Sequence, residues 1–242
     1  FYQGHSHEIT CIALHPSGLI VATGDSNSNI HLWQSSTMAC LNIIQGLVKG
    51  GLQHLTFSPN GDRIAGVHAD TDNTITLYNR ATGDILASSR CITSPQNVYG
   101  LAYANNNDEI VVVGTKFVKF FCKVQNTKRA LDFKLGKIGK AGQKQTFFCV
   151  SYLEKDDAVV GCADGNIYRF SNHACVQIVR AHAPNEPILS IFFNRAEGVL
   201  ITGGKDCNIK SWDLTLAEVG MAVDISEDLD GDGKADCGAI DA

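Results

Sequence analysis

"GGKDCNIKSWD", residues 203–213, admits two readings, and the choice between them decides the fold. Asp206 in this stretch, Thr202 just before it and His182 some twenty residues upstream form a trio of residue types that invites a catalytic reading. Alternatively, Asp206 ties a tight turn and Trp212 closes a structural unit. Working outward from Trp212 favours the second. Five stretches share one plan, an alternating apolar run, a turn, a second run, another turn and a run ending on an aromatic. They are "ITCIALHPSGLIVATGDSNSNIHLWQ" (9–34), "LQHLTFSPNGDRIAGVHADTDNTITLYN" (52–79), "VYGLAYANNNDEIVVVGTKFVKFFCK" (98–123), "FFCVSYLEKDDAVVGCADGNIYRFSN" (147–172) and "ILSIFFNRAEGVLITGGKDCNIKSWD" (188–213).

The closing aromatics are Trp33, Tyr78, Phe121, Phe170 and Trp212, at intervals of 45, 43, 49 and 42 residues. A period of roughly 40–45 residues is that of four-stranded propeller blades. A fourth apolar stretch, such as "ACLNII", "GDILAS" or "ACVQIV", follows most of them. Period-two alternation, β-branched residues and the turn-forming "HPSG" and "SPNG" predict strands throughout. The expected fold is therefore all-β, a β-propeller with five blades in residues 1–213.

Six residues before each aromatic stand Asn27, Asp72, Thr115, Asp164 and Asp206, a turn position where a short polar side chain bonds nearby backbone. Ten residues before it, Thr23 and Thr202 supply hydroxyls, and His5 and His182 precede the first and fifth repeats. A buried indole N–H needs an acceptor and a buried carboxylate needs donors, so a histidine between hydroxyl and Asp satisfies both. His5, Thr23, Trp33, Asp72, Asp164, His182, Thr202, Asp206 and Trp212 are thus expected to fasten blades. Repeat five has the full set, and repeat one reads as the same set with Asn27 for Asp. Repeats two to four have no such histidine. A catalytic triad should be unique, whereas partial copies at blade period indicate scaffolding. No catalytic residue is assigned, and the protein is not expected to be an enzyme.

Composition bounds the partners. With 242 residues, 44% hydrophobic and 19% charged, the chain has ample apolar material for a large core. A formal net charge of −5 gives no global basic field for nucleic acid. No continuous apolar run approaches the roughly 18–20 residues that cross a bilayer, so no membrane partner is expected. The nine cysteines form no C-x-x-C pair and sit mostly in apolar runs. They read as buried thiols in a reducing, intracellular setting. His15, His31, His54, His68 and His173 lack metal spacing and are assigned to strands or turns. Phe1 already lies within a motif, so the chain is expected to be part of a longer protein.

The repeats over residues 4–213 resemble the WD-repeat family. The opening "FYQGHSHEITCIALHPSGLIVATG" (1–24) is similar to the first propeller of the echinoderm microtubule-associated protein-like family. "VVVGTKFVKFF" (111–121), "GKIGKAGQKQTFFCVSY" (136–152), "GCADGNIYRF" (161–170) and "LITGGKDCNIKSWD" (200–213) extend the resemblance. The loss of Trp from three blades departs from the pattern. The resemblance implies a non-catalytic microtubule-associated scaffold of the cytoplasmic cytoskeleton, spindle or ciliary axoneme. Its partners would be tubulin and other cytoskeletal or axonemal proteins. The competing reading is a general adaptor propeller that recruits a peptide or complex unrelated to tubulin. Five blades are not expected to close a ring, so further blades are expected from flanking sequence.

Two segments bear on partners directly. Between Lys116 and Lys144 lie nine of the chain's 20 Lys and Arg residues, against the single acid Asp132. Within it "KLGKIGKAGQK" (134–144) reads as a Gly-rich surface loop between blades three and four. Lys128, Arg129, Lys134, Lys137, Lys140 and Lys144 are the candidates for contact with acidic tubulin. Residues 214–242 read as an acidic linker. Within it Asp228, Asp230, Asp232 and Asp236 occupy positions 1, 3, 5 and 9 of a calcium-loop register, with Gly233 at the bend. Position 12 is Ala239 rather than Glu, so a Ca²⁺ site and a plain acidic linker both stay open. No other cofactor is expected.

Overall fold

A computed structural model describes residues 4–46, 49–92, 96–123 and 130–225. Among them are twenty strands and no helix, so none is long and apolar enough to cross a membrane. The strands form five four-stranded antiparallel sheets, the expected propeller blades. The first comprises β1 (Ile9–Leu14), β2 (Ile20–Asp25), β3 (Ile30–Gln34) and β4 (Cys40–Ile44), in that spatial order. The second comprises β5 (Leu52–Phe57), β6 (Arg63–His68), β7 (Ile75–Asn79) and β8 (Ile85–Ser89). The third comprises β9 (Val98–Tyr103), β10 (Glu109–Gly114), β11 (Phe117–Lys123) and β12 (Leu131–Leu135). β13 (Phe147–Tyr152), β14 (Ala158–Cys162), β15 (Asn166–Ser171) and β16 (Ala174–Arg180) make the fourth. β17 (Ile188–Asn194), β18 (Val199–Gly204), β19 (Asn208–Trp212) and β20 (Val223–Asp224) make the fifth.

The repeat extends to backbone irregularities. The first strand of a blade shifts register against the second at Ile9/Cys11, Leu52/His54, Phe147/Cys149 and Ile188/Ser190. The third shifts against the fourth beside the closing aromatic, at Leu32/Trp33, Leu77/Tyr78 and Arg169/Phe170. A bulge at the same place in successive copies is a feature of the unit, since each one re-aims the side chains beside it.

The chain divides into two compact units, residues 1–112 with 119–134, and residues 113–118 with 135–242. In the first unit Ala22, Ile30, Leu32, Leu52, Leu55, Ile64 and Tyr78 pack one core. In the second, Val159, Ile167, Ile188, Leu200, Trp212 and Leu216 pack another. Strands such as β2 and β14 are buried along nearly their whole length because both faces are covered. Tyr78, Phe121, Phe170 and Trp212 are buried, while Trp33 is only partly so. Among the described residues the expectation of buried free thiols holds in part. Cys91, Cys149 and Cys162 are buried, Cys11, Cys122 and Cys175 half-buried and Cys40 exposed, whereas Cys207 is disulfide-bonded. Burial pushes the Cys91 and Cys149 thiols up to about 12. Large apolar side chains also lie exposed, notably Ile12 and Leu14 on β1, Phe192 on β17 and Val223 on β20.

Two boundaries differ from expectation. Beyond Trp212 the chain keeps pairing with β19, through the Val219 N–H to Ser211 O (2.8 Å) and then through β20. The fifth blade therefore runs to about residue 225, because β19 would otherwise be an unpaired edge. The segment 134–144 is not a free loop either. Lys134 and Leu135 belong to β12, whose ladder with the rest of its blade is not visible in a Gly-rich sequence.

Candidate functional site: blade fasteners and a pinned basic segment

In the fifth blade a hairpin brings together residues that are ten to thirty positions apart. The Trp212 indole N–H donates to Thr202 Oγ1 (2.9 Å), and Thr202 Oγ1 lies 2.9 Å from His182 Nε2. His182 Nδ1 lies 2.8 Å from Asp206 Oδ1. One proton order satisfies every partner: the Thr202 hydroxyl donates to Nε2, and Nδ1–H donates to the carboxylate. Asp206 also accepts from the Ala183 N–H (3.0 Å) and the Asn208 N–H (3.2 Å). Burial alone would raise its pKa, but these N–H donors and His182 outweigh it and hold the carboxyl below its ordinary value. Gly204 is required where it stands, since a Cβ there would strike His182 Nδ1 and Asp206 Oδ1. The three residue types of a hydrolase triad are all present. Thr202 is fully buried, and its oxygen already accepts from the Trp212 indole N–H, so its hydrogen bonds are spent within the blade. The assembly is a fastener.

The first blade repeats it with one correction. His5 Nε2 meets Thr23 Oγ1 at 2.7 Å, and Trp33 Nε1 donates to the same oxygen at 3.2 Å. The carboxylate is Asp25, 3.0 Å from His5 Nδ1, and not a substituted Asn27. Asn27 merely donates its N–H to Asp25, as Asn29 does. Burial would raise Asp25, and bonds from His5, Asn29 and Asn27 lower it on balance. His31 stacks on His5 with ring centroids 3.7 Å apart. Donor atoms of His5, Asp25 and His31 lie within 4.8 Å of one another, a spacing that could hold a metal. Both His5 nitrogens, however, are already engaged by Asp25 and Thr23.

In the second blade the turn carboxylate is again two residues earlier than expected. Asp70 accepts from the Thr74 N–H (2.7 Å) and hydroxyl (2.6 Å), whereas Asp72 faces Arg90 at 3.0 Å. The signal was a second Asp in "HADTDN", which sequence spacing alone left ambiguous. His68 holds the place that Thr23 and Thr202 hold, ten residues before the aromatic. Its Nε2 lies 3.1 Å from the Tyr78 hydroxyl and its Nδ1 lies 3.3 Å from Ser28 Oγ. Burial pushes the His68 pKa down to about 4 despite nearby Asp70. In the fourth blade the Asp164 carboxylate accepts from Asn166, through its N–H (3.1 Å) and its side-chain amide (2.7 Å), within its own turn.

The basic segment is held by backbone bonds. Gly136 N–H donates to Val118 O, Lys137 N–H to His173 O and Cys175 N–H to Lys137 O, each at 2.8 Å. Gln143 N–H donates to the Tyr168 hydroxyl (3.0 Å). Gly142 permits this approach, since a Cβ there would strike Ile138 and Tyr168. Lys134, Lys137, Lys140 and Lys144 are exposed. None of them forms an ion pair among the described residues. Lys119, in the same basic run, is buried instead. Its ammonium donates to Cys91 O and sits 4.3 Å from the centre of the Phe133 ring, and burial lowers its pKa. Lys128, Arg129 and the calcium-register residues Asp228, Asp230, Asp232 and Asp236 lie outside the described residues.

The family model for the "Echinoderm microtubule-associated protein first beta-propeller" matches residues 1–233. The chain belongs to this family. Its relatives include Echinoderm microtubule-associated protein-like 1 of Rattus norvegicus and of Homo sapiens, each 24% identical over 87% of this chain and 27% of their own length. Echinoderm microtubule-associated protein-like 2 of Rattus norvegicus is 22% identical over 94% of the chain and 36% of its own length. The chain thus spans about a quarter to a third of these relatives. Among solved structures, the Cps50 (Swd1) β-propeller domain of Myceliophteria thermophila superposes with a TM-score of 0.70 at 12% identity. That match covers 86% of this chain and 67% of the other, and it shows the propeller fold. Within this echinoderm microtubule-associated protein family member, the fasteners are architecture, and the pinned lysines are the exposed chemistry left to account for.

Proposed function

We propose that this chain is the propeller portion of a non-catalytic scaffold that binds the tubulin lattice, and that Lys134, Lys137, Lys140 and Lys144 contribute to the contact. Membership of a microtubule-associated family supports the partner class. One observation carries the residue assignment: residues 133–144 hold four lysines and no acid, and the backbone of residues 136–143 is tied down at both ends. Ammonium groups on an anchored backbone lose less freedom on binding than those on a free loop, and acidic surfaces attract them over a Debye length. Residence in a ciliary axoneme is the narrower form of this proposal, and tagged protein found only on cytoplasmic microtubules would argue against it.

The test is co-sedimentation of the intact protein with polymerised tubulin. Reversing Lys134, Lys137, Lys140 and Lys144 to Glu is expected to weaken binding at least tenfold, with wild-type affinity falling as salt rises. Unchanged affinity would remove the segment from the contact. The adaptor reading is favoured by a different observation, the cleft described next. Wild-type protein left wholly in the supernatant would make it the better account.

A further inference from the structure

The basic segment also walls a cleft of about 370 Å³, and every residue lining it comes from 113–118 or from beyond 134. Phe117, Val118, Leu135 and Ile138 supply its apolar surface, and Lys116 and Lys144 stand at its edge. Phe117 and Val118 are buried, so they form a fixed floor, whereas Leu135 is 57% exposed and forms an open side. Lys116 holds a left-handed backbone (φ 63°) at the two-residue turn between β10 and β11, where a non-glycine residue is uncommon. Neither Lys116 nor Lys144 forms an ion pair among the described residues.

From this geometry we infer a binding site for an extended acidic peptide that inserts one large apolar side chain between Phe117, Leu135 and Ile138. The cleft volume lies within the range of small ligand sites, and its walls are apolar with a few charges, as such sites are. The charges are all of one sign. Lys137 and Lys140, also exposed, belong to the same pinned segment, so a carboxylate-bearing strand meets charge of the opposite sign. In an extended chain, residues two apart point to the same side, which presents flanking acids to Lys116 and Lys144 while the anchor enters. The walls are already in place: Gly136 and Lys137 are bonded to neighbouring strands, and little ordering accompanies binding. This inference goes beyond the lattice reading, with which it shares its lysine segment, because it requires a peptide and not a lattice.

The experiment is fluorescence anisotropy on the intact protein with labelled synthetic peptides EEEFEEE and EEEAEEE. The Phe peptide is expected to bind at least tenfold more tightly than the Ala peptide at 50 mM salt. Leu135→Glu, which alters an exposed position, should abolish that preference. Lys116→Glu with Lys144→Glu should weaken both peptides at least tenfold. Equal binding of the two peptides would overturn the site, as would variants that bind like wild type or no binding at low salt. Microtubule co-sedimentation of the same variants separates the two ideas. Lattice binding retained by Leu135→Glu with peptide binding lost supports the cleft as a distinct peptide site. Peptide binding absent while the lysine-dependent lattice contact persists overturns the cleft alone.

Discussion

Thr202→Val is expected to destabilise the protein by about 2–6 kcal/mol, read as a lower urea midpoint with an unchanged slope. Valine matches threonine in shape, so no cavity opens, and the effect isolates the hydroxyl. Its loss leaves the Trp212 N–H without an acceptor and His182 Nε2 without a donor, both in a buried setting. Each orphaned group costs about 1–3 kcal/mol. The cycle with Trp212→Phe sharpens the test. With the indole N–H already gone, Thr202→Val orphans only His182, so the two changes should be less than additive by about 1–3 kcal/mol. A loss below 1 kcal/mol for the single variant would show that the hydroxyl is not the centre of the fastener.

Acidification should expose a second large term, this time from His68. The imidazole is neutral in the folded protein because burial holds its pKa at about 4, against an ordinary 6.5. Between those values the unfolded chain binds more protons than the folded one, so stability rises with pH. The His68 contribution is therefore complete above about pH 6.5, is lost progressively down to about pH 4, and is constant below that. A shift of this size corresponds to about 3 kcal/mol. His68→Gln keeps a polar partner for the Tyr78 hydroxyl and removes the titration. Chemical denaturation at pH 7, 5.5 and 4 should show the wild type losing that stability and the variant losing much less of it. Asp25 and Asp206 act in a separate window, because their lowered pKa values place their loss of stability below the ordinary carboxylate range. Parallel pH dependence of wild type and variant across pH 4–6.5 would assign the acid sensitivity elsewhere.

The strands, their grouping in fours and the identity of the closing aromatics could all be read from the chain. Each depends on short-range chemistry: alternation sets the buried face, Gly and Asn set turns, and a copied aromatic marks each unit. The fifth-blade fastener was legible in part for the same reason, since the Thr-to-Trp spacing of ten residues is shared by Thr23–Trp33 and Thr202–Trp212. Within the first and second blades spacing failed. "GDSNSN" and "HADTDN" offer more than one polar residue per turn, and only the hairpin geometry selects Asp25 and Asp70 over Asn27 and Asp72. His68 looked incidental until the fold set it against Tyr78, because a Thr-to-His exchange at one column leaves no local trace.

The sequence by itself determined a repeated antiparallel blade and its family, because those follow from patterns within about ten residues and from the period between copies. Only the tertiary structure decided which lysines face outward and what holds them. Lys119 turns inward onto Cys91 and Phe133, while Lys137 is tied to a hairpin more than thirty residues away through main-chain N–H and C=O groups. Every residue but proline carries both of those groups, so no choice of side chain in "KLGKIGKAGQK" announces where they will bond.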